Sequence, residues 1–222
     1  MLIGHFGVAL GLKYWAPRMN LAWLAIASTL IDLLLWVLVL TGAEQVIIPA
    51  DYGQRHYFSF DFPYSHSLLS TGIYAIAFGL FGSLFARHVS RLAAATVMAF
   101  AVLSHWLLDF LVHPSQLPLA GNSSPKVGLG LWDTLPLALA LELTIFLVGL
   151  VIYYRTSRSR SNLGKYGPIV LFGIVATLSL VGQAVSSAPA NGMIVAASSL
   201  GMLVIVIILA GWFDTKRSFI RS

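Results

Sequence analysis

Six ionisable side chains interrupt the long apolar segments of this 222-residue chain: His5, Asp32, His66, His105, Asp109 and Glu142. An ionisable group in bilayer hydrocarbon costs at least ~2.5–3.5 kcal/mol on insertion scales, so such residues are by default functional. Four of the six are of the types that bind zinc or a similar cation, namely Asp32, His66, His105 and Asp109. If these four converge in space, they predict a metal site inside the apolar part of the protein.

The spacing around position 105 favours a shared cation. His105, Asp109 and His113 follow one another at intervals of four residues, which places them roughly on one stripe of an α-helix. A lone His-x-x-x-Asp pair is weak evidence, but in an apolar helix that faces another His and another Asp it indicates a metal site. Upstream, the segment Tyr64-Ser65-His66-Ser67 puts a His in the first turn of a helix, where serines can cap free N–H groups.

Three of these candidates also have structural interpretations. His5 could be an interfacial side chain, and His66 could be a helix-start residue bonded to backbone. Asp32 could form a structural lock with a single His. Because intramembrane ionisable groups are costly and usually functional, a metal or proton site is favoured over a set of neutral locks.

The remaining polar candidates are less specific. His113 precedes Pro114 at a helix end and could be a cap or loop residue, while Glu142 could pair with Lys126 or a serine. Asp133 at a helix start is typical of an acid that interacts with the helix dipole. A general base or a ligand of a second metal could come from Glu142 or His5. Contacts with an anionic substrate headgroup could come from Lys126 and His113.

Composition determines the class of protein. The chain is 58% hydrophobic and 9% charged, with a mean hydropathy of +0.86, whereas soluble domains carry about 25% charged residues. The apolar runs are continuous and about 20 residues long, which predicts helices rather than the alternating segments of a β-barrel. There are no cysteines, so a metal would have to be held by His and carboxylate.

An all-α, polytopic transmembrane helical bundle is therefore expected, with six strong spans and a short seventh segment at the N-terminus. The strong spans are predicted at 20–42, 65–86, 90–112, 131–153, 168–186 and 192–212, each near the ~20 residues needed to cross ~30 Å of hydrocarbon. The seventh segment, residues 2–15, could span with tilt or enter the membrane partway. We expect one membrane domain with a metal-site core at 1–153, a basic cytoplasmic linker at 154–167, and a C-terminal helix pair and tail at 168–222.

Basic residues predict the orientation. Eleven of the thirteen Lys and Arg residues lie in alternate connections: Lys13, Arg18, Arg87, Arg91, Arg155, Arg158, Arg160, Lys165, Lys216, Arg217 and Arg221. The positive-inside rule then places the N-terminus outside and the C-terminus in the cytoplasm, with the site near the outer face. This distribution explains the net charge of +5 without nucleic acid as a partner. Loops 43–64 and 113–130 are long enough to fold over the site.

The C-terminal pair has a different character. Residues 168–212 carry no charge and are rich in Gly, Ala and Ser. Small residues let transmembrane helices approach closely. We expect this segment to be a scaffold or the surface of a homo-oligomer.

The residues so far resemble a known family. An early His5 followed closely by glycine, Asp32 after a small-to-apolar run, Ser65-His66-Ser67, and His105-Trp106-Leu107-Leu108-Asp109 look like the YdjM-type family. Its members are described as membrane-bound, metal-dependent hydrolases of bacteria. The resemblance covers roughly residues 1–150 and implies a bacterial cytoplasmic (inner) membrane. It departs in the second segment, where Thr29-Leu30-Ile31-Asp32 lacks a Pro and supplies one Asp, and before position 66, where Phe62-Pro63-Tyr64 stands in place of His-Arg.

The order of these residues is also similar to the zinc-dependent phospholipase C and P1 nuclease superfamily, whose members hydrolyse phosphoesters. That resemblance implies that Asp32, His66, His105 and Asp109 form the principal zinc site. It further implies that His5 and a bridging Asp109 bind a second metal.

Three functions remain open at this point. The first is a metal-dependent hydrolase that acts on a lipid or lipid-linked phosphoester. The second is a transporter of metal ions or protons that uses the same residues; it would need polar groups in the inner half, where only hydroxyls occur on the first five segments. The third is a non-enzymatic membrane protein with a structural His–Asp network.

Overall fold

The computed structural model describes residues 1–84 and 90–219, and within them the chain is largely α-helical. Its helices are α1 (Leu2–Leu12), α2 (Leu21–Leu40), α3 (Tyr52–Arg55), α4 (Leu68–Ser83), α5 (Arg91–Val112), α6 (Leu135–Thr156), α7 (Asn162–Val185) and α8 (Gly192–Asp214). The all-α prediction is confirmed in this coarse form. Arg87 and Arg221, which belong to the charge pattern above, lie outside the described residues.

Five helices of the described part are long and apolar enough to cross a membrane: α2, α5, α6 with the 3₁₀ turn before it, α7 and α8. They match five of the six predicted strong spans to within a few residues at most ends, although α7 begins earlier. Their number and length indicate an integral membrane protein.

The other two predicted segments form shorter helices. The segment predicted at 65–86 contains α4, which has 16 residues, and the N-terminal segment contains α1, which has 11. At 1.5 Å per residue, α1 is about 16 Å long and cannot cross ~30 Å of hydrocarbon. The count of six strong spans is therefore not confirmed, and α1 enters the bundle only partway.

The central position of α1 explains why so short a helix is stable here. It packs against α2, α5, α6 and α7, and Ile3, Phe6 and Leu10 are almost completely buried. Its backbone touches that of α6, because a Cβ built on Gly149 would lie 2.0 Å from the carbonyl oxygen of Gly7. Small residues at this crossing allow the two backbones to meet, as is common between membrane helices.

Short strands tie the connections together. β1 (Gln45–Ile47) pairs antiparallel with β2 (Ser59–Asp61), and β3 (Leu117–Pro118) pairs with β4 (Lys126–Val127). At the opposite end of the bundle, β5 (Ser157–Ser159) pairs with β6 (Arg217–Phe219). The basic connection predicted at 154–167 is thus shorter than expected, since α6 runs to Thr156 and α7 already begins at Asn162.

The two ends of the bundle can be distinguished by their buried polar groups. At the basic end, Lys13 lies 3.0 Å from Asp214, which also accepts hydrogen bonds from the Leu21 N–H and the Tyr153 hydroxyl. The site end is where α2 and α5 finish, α4 and α6 begin, and the β1–β2 and β3–β4 loops lie. All the predicted metal ligands lie in the half of the bundle toward the site end.

Candidate metal centre

Helices α2 and α5 hold the central ligands. They pack directly against each other, so Asp32 on α2 and the pair His105 and Asp109 on α5 face the same space. The Nδ1 of His105 lies 2.9 Å from the backbone carbonyl oxygen of Ser28. A carbonyl can only accept, so Nδ1 carries a proton, and in the neutral ring Nε2 presents a lone pair to the cluster.

His66 reaches the cluster from the segment that leads into α4. Ser67 is the N-cap of this helix, and its hydroxyl accepts a hydrogen bond from the Ser70 N–H; the predicted capping by serine is therefore confirmed. His66 itself precedes the cap rather than lying in the first helical turn. The indole of Trp106 donates to the His66 carbonyl oxygen at 3.0 Å, which fixes the segment against α5.

His5 is brought in by the crossing of α1 and α6. Its ring stacks on that of His105, with 3.8 Å between the ring centroids and 9° between the planes. The side chain is 1% exposed. An interfacial location for His5 is therefore excluded, and the residue belongs to the buried cluster.

The two oxygens of Asp109 face different imidazoles. Its Oδ1 lies 3.2 Å from His5 Nε2, whereas its Oδ2 lies 3.4 Å from His66 Nε2, 3.2 Å from His105 Nε2 and 3.8 Å from His113 Nε2. Asp32 completes the group, with its Oδ1 3.7 Å from the Nε2 atoms of both His66 and His105. The Met1 amino group lies 3.4 Å from Asp109 Oδ1.

These separations match the edges of a coordination polyhedron. Two ligand atoms that each lie 2.0–2.1 Å from zinc at a tetrahedral angle are about 3.3–3.4 Å apart. Two sets of residues bring one ligand atom each to within 4.8 Å of one another, and they share His105: His5, His105 and Asp109, and Asp32, His66 and His105. The buried His and Asp groups could therefore hold a metal ion.

Missing hydrogen bonds point the same way. The Nε2 atoms of His5 and His105 are buried and make no hydrogen bond of acceptable geometry within the described residues, although each lies 3.2 Å from an Asp109 oxygen. Buried polar atoms almost always have a partner. A cation between these lone pairs and the carboxylates would satisfy both nitrogens, so the donor set fits a divalent metal.

His113 belongs to the cluster more closely than its helix-end position suggests. It follows α5 as the C-cap, and its ring lies 4.1 Å from the Trp132 ring and 5.8 Å from the Phe62 ring, measured between centroids. The residue is 3% exposed. Its role as a cap does not exclude a role in the site, because its Nε2 still faces Asp109.

Two of the candidate residues, Glu142 and Lys126, belong to neither set of ligand atoms. Glu142 on α6 is 3% exposed and lies beside the first turn of α1, where its Cγ would be 3.4 Å from a Cβ built on Gly4. Its Oε2 is buried without a partner in the described residues. Lys126 is exposed on β4 and does not line the cavity described below.

The loops of the site end cover the cluster, as predicted. The Tyr57 ring stacks on Trp132 at 5.5 Å between centroids, and its hydroxyl donates to Asp133 at 2.7 Å. Burial, followed by this hydrogen bond, raises the pKa of the Tyr57 phenol. Asp133 therefore anchors the loop after β1 to the start of α6, in addition to its place near the helix N-terminus.

A cavity of about 180 Å³ opens beside the cluster. Its polar wall is formed by Asp32, His66, Asp109 and His113. Its apolar wall includes Leu35, Trp36, Phe60, Phe62, Trp132, Val195, Met202 and Leu203. The C-terminal helix α8 thus contributes to the cavity, which the composition of residues 168–212 did not predict.

Glu44 is a buried acid that the sequence analysis missed. It is 2% exposed. Its Oε1 accepts hydrogen bonds from the N–H groups of Tyr64 and Ser65, both at 2.8 Å, and its Oε2 accepts from the Ser65 hydroxyl at 2.6 Å. The only sequence signal was an acid in an aromatic loop directly after a span, and such an acid is usually a solvated residue.

Comparison with protein-family models, with curated proteins and with solved structures finds no match for this chain. A functional conclusion therefore depends on the geometry of the cluster and the cavity.

Proposed function

We propose that this chain is a membrane-embedded, metal-dependent hydrolase that acts on a phosphoester of a lipid or lipid-linked substrate. The observation that carries the proposal is the convergence of Asp32, His66, His105 and Asp109, in which each carboxylate places one oxygen 3.2–3.7 Å from the Nε2 atoms of both His66 and His105. A divalent metal, with zinc best matched by the His and carboxylate donors, would lower the pKa of a water and polarise the scissile group.

The chain's own groups have distinct parts in this proposal. Asp32, His66, His105 and Asp109 hold the principal cation. Because Asp109 Oδ1 faces His5 while Oδ2 faces the other imidazoles, the same carboxylate can bridge to a second cation held by His5.

The proton-transfer role falls to His5 or Glu142. His5 can take this role only where no second cation occupies its Nε2, which lies 3.2 Å from Asp109; where one does, the role passes to Glu142, beside the first turn of α1. A general base must lie within hydrogen-bond reach of the proton it takes.

The cavity supports an amphipathic substrate. Its polar wall joins the cluster, and aromatic and aliphatic side chains of α2, α8 and the loops form the rest. A phosphoester at the polar wall would leave an attached chain against the apolar wall, where burial is favourable. His113 faces this cavity and could bind the substrate, whereas exposed Lys126 could contact only a headgroup that extends beyond it.

A transporter that uses the same cluster is the main alternative. Transport would need a polar route onward to the basic end. The described residues there include completely buried Leu10, Leu24 and Met98. The Thr29 and Ser104 hydroxyls donate to carbonyl oxygens of their own helices. The apolar packing of these described residues favours an enzyme over a conduction path.

A structural His–Asp network is the third candidate, and one observation favours it. The Met1 amino group beside Asp109 Oδ1 could neutralise that carboxylate without a metal. When a cation binds, the Met1 amino group would either move away from Asp109 or stay beside it. Metal content therefore distinguishes this candidate from the hydrolase.

The membrane, its orientation and the assembly remain part of the proposal. The basic connections favour an orientation with the site toward the outer face, and the resemblance of residues 1–150 to the YdjM-type family favours a bacterial cytoplasmic membrane. The apolar residues that α7 leaves exposed, among them Ile174, Leu178 and Val181, suit lipid or a second copy of the chain.

The first experiment measures metal. Purified wild-type protein and a His105→Ala plus Asp109→Ala double variant are compared by elemental analysis after equilibration with Zn²⁺. We expect about one or two zinc ions per wild-type chain and a large loss in the double variant. His56→Asn, which removes an imidazole outside the cluster, is the matched control and should retain the metal.

Folding and activity are checked separately. Asp109→Asn changes charge but little volume, so it keeps the test valid if the double variant fails to fold. Zinc-loaded protein is then assayed on phospholipid and phosphoester panels and for Zn²⁺ uptake into liposomes. The ligand assignment would be refuted if the Asp109→Asn variant and the double variant both fold and both keep the zinc content of the wild type. Uptake of Zn²⁺ into the liposomes without hydrolysis would establish the transporter.

A further inference from the structure

A chain of hydrogen bonds connects Glu44 to the candidate metal ligand His66. The Ser65 hydroxyl lies 2.6 Å from Glu44 Oε2 and 2.8 Å from His66 Nδ1. The three groups come from the loop after α2 and from the segment before α4. All three residues are at most 2% exposed, so water does not compete with these bonds.

The direction of the bonds follows from the number of available protons. Glu44 receives two backbone N–H groups at Oε1, so its carboxyl group acts as an acceptor throughout. The single hydroxyl proton of Ser65 is therefore donated to Glu44, and the Ser65 oxygen is left to accept. The Nδ1 of His66 must then carry a proton and donate it to Ser65.

This direction has a consequence at the other ring nitrogen. If Nδ1 carries the proton of a neutral imidazole, Nε2 presents a lone pair. The Nε2 of His66 is the atom that lies 3.4 Å from Asp109 and 3.7 Å from Asp32. The Ser28 carbonyl imposes the same tautomer on His105, so both rings present the same nitrogen to the cluster.

We propose that Glu44 and Ser65 are positioning residues that hold His66 in the tautomer and orientation needed to bind a metal through Nε2. The inference rests on the metal site proposed above and extends it beyond the ligands. Metal-binding histidines commonly donate their second N–H to a carboxylate or carbonyl, and loss of such a partner typically weakens metal binding 10- to 100-fold. Here a serine hydroxyl lies between carboxylate and imidazole.

The main test measures metal affinity in Ser65→Ala and Ser65→Thr. Co²⁺ is titrated as a spectroscopic probe of the coordination, and Zn²⁺ affinity is measured by competition. Ser65→Ala should bind both ions about 10- to 100-fold more weakly, and Ser65→Thr, which keeps a hydroxyl, should restore most of the affinity. Glu44→Gln should weaken binding in the same direction, because the amide can donate to Ser65 and reverse the chain.

Ser67→Ala is the matched control. It also removes a buried serine hydroxyl from the start of α4, but that hydroxyl hydrogen-bonds to the N–H and hydroxyl of Ser70 and caps the helix. Circular dichroism and thermal melting of both variants report the general cost to the fold. If Ser65 were merely structural, both alanine variants would lower metal affinity equally and Ser65→Thr would not rescue it; that result would overturn the proposal.

A second readout does not depend on metal or on activity. ¹⁵N NMR of histidine-labelled, metal-free protein, with His66 assigned by comparison with His66→Gln, shows which ring nitrogen is protonated. We expect Nδ1 to be protonated in the wild type and a mixture of tautomers in Ser65→Ala. A wild-type His66 whose Nδ1 carries no proton overturns the relay, whereas a wild type that has the expected Nδ1 proton but binds no Zn²⁺ overturns the proposed function alone.

Discussion

The contact between α1 and α6 leads to a prediction about the metal site. A Cβ at position 149 would lie 2.0 Å from the Gly7 carbonyl oxygen, and ordinary contact begins at about 3.4 Å. Gly149→Ala therefore has to separate the helices by about 1.4 Å. The atoms in conflict are backbone, so no side-chain rotation can relieve the clash.

The separation acts on the site through His5, which α1 carries. A displacement of α1 by about this amount relative to α6 moves His5 Nε2 from its place 3.2 Å from Asp109 Oδ1, and a change in either sense departs from the ~3.3–3.4 Å edge of a coordination tetrahedron. Overpacking of this kind typically costs about 1–3 kcal/mol. We expect Gly149→Ala to lose the metal-binding contribution of His5 and to unfold at a lower temperature.

The assay compares metal stoichiometry and affinity with thermal unfolding in detergent. Gly149→Ala should match His5→Ala in metal binding, and the double variant should be no weaker than either single one, because both remove the same contribution. Gly173→Ala is the control, since a Cβ at that α7 position meets nothing within 4 Å. If Gly149→Ala binds metal as the wild type does and has the same melting temperature as Gly173→Ala, the α1–α6 contact does not position His5.

Three further predictions concern stability. Removing zinc with a chelator should lower the melting temperature, and Zn²⁺ at about 100 times its dissociation constant should restore about 2.7 kcal/mol; no shift in differential scanning fluorimetry would argue against a bound metal. Asp214→Ala should lower the free energy of unfolding by about 3–5 kcal/mol, because it leaves the Lys13 ammonium buried without its carboxylate; a chemical denaturation midpoint equal to that of the wild type would contradict this. Tyr57→Phe should cost about 1 kcal/mol at neutral pH. Because the pKa of the phenol is raised in the folded protein, the stabilisation is present below pH 10.0, the ordinary pKa, and is lost as the pH rises through the higher folded pKa. A difference in melting temperature between wild type and Tyr57→Phe that persists at high pH would refute the assignment.

Apolar length predicted the long helices well because a bilayer requires about 20 apolar residues per span. The helices α1 and α4 are shorter than the segments that this criterion gave. A helix such as α1, enclosed by other helices, is equally apolar but need not cross the membrane. The burial of Leu10 by α2, α5, α6 and α7 is a property of the packing, and hydropathy does not distinguish burial in protein from burial in lipid.

The cluster was predictable in part for a similar reason. A charged or ionisable residue in an apolar run is expensive, which identified Asp32, His66, His105 and Asp109 one by one, and the interval of four residues placed two of them on one helix face. Helical spacing also put His113 on that face, yet its neighbouring proline left a cap or loop role equally open. Only the contact between the rings of His113 and Trp132 shows that the His113 side chain points into the bundle.

The sequence alone established that this is a helical membrane protein with imidazoles and carboxylates in its apolar part. Residue types and their intervals along the helices were enough, because the free-energy cost of burying such groups does not depend on the details of the fold. Tertiary structure decided which of them meet. The backbone contact at Gly7 and Gly149 places His5 on His105, the loop after α2 delivers Glu44 to Ser65, and α8 closes the cavity. These are contacts between residues far apart in the chain, and they depend on how helices cross and loops return, which no local pattern encodes.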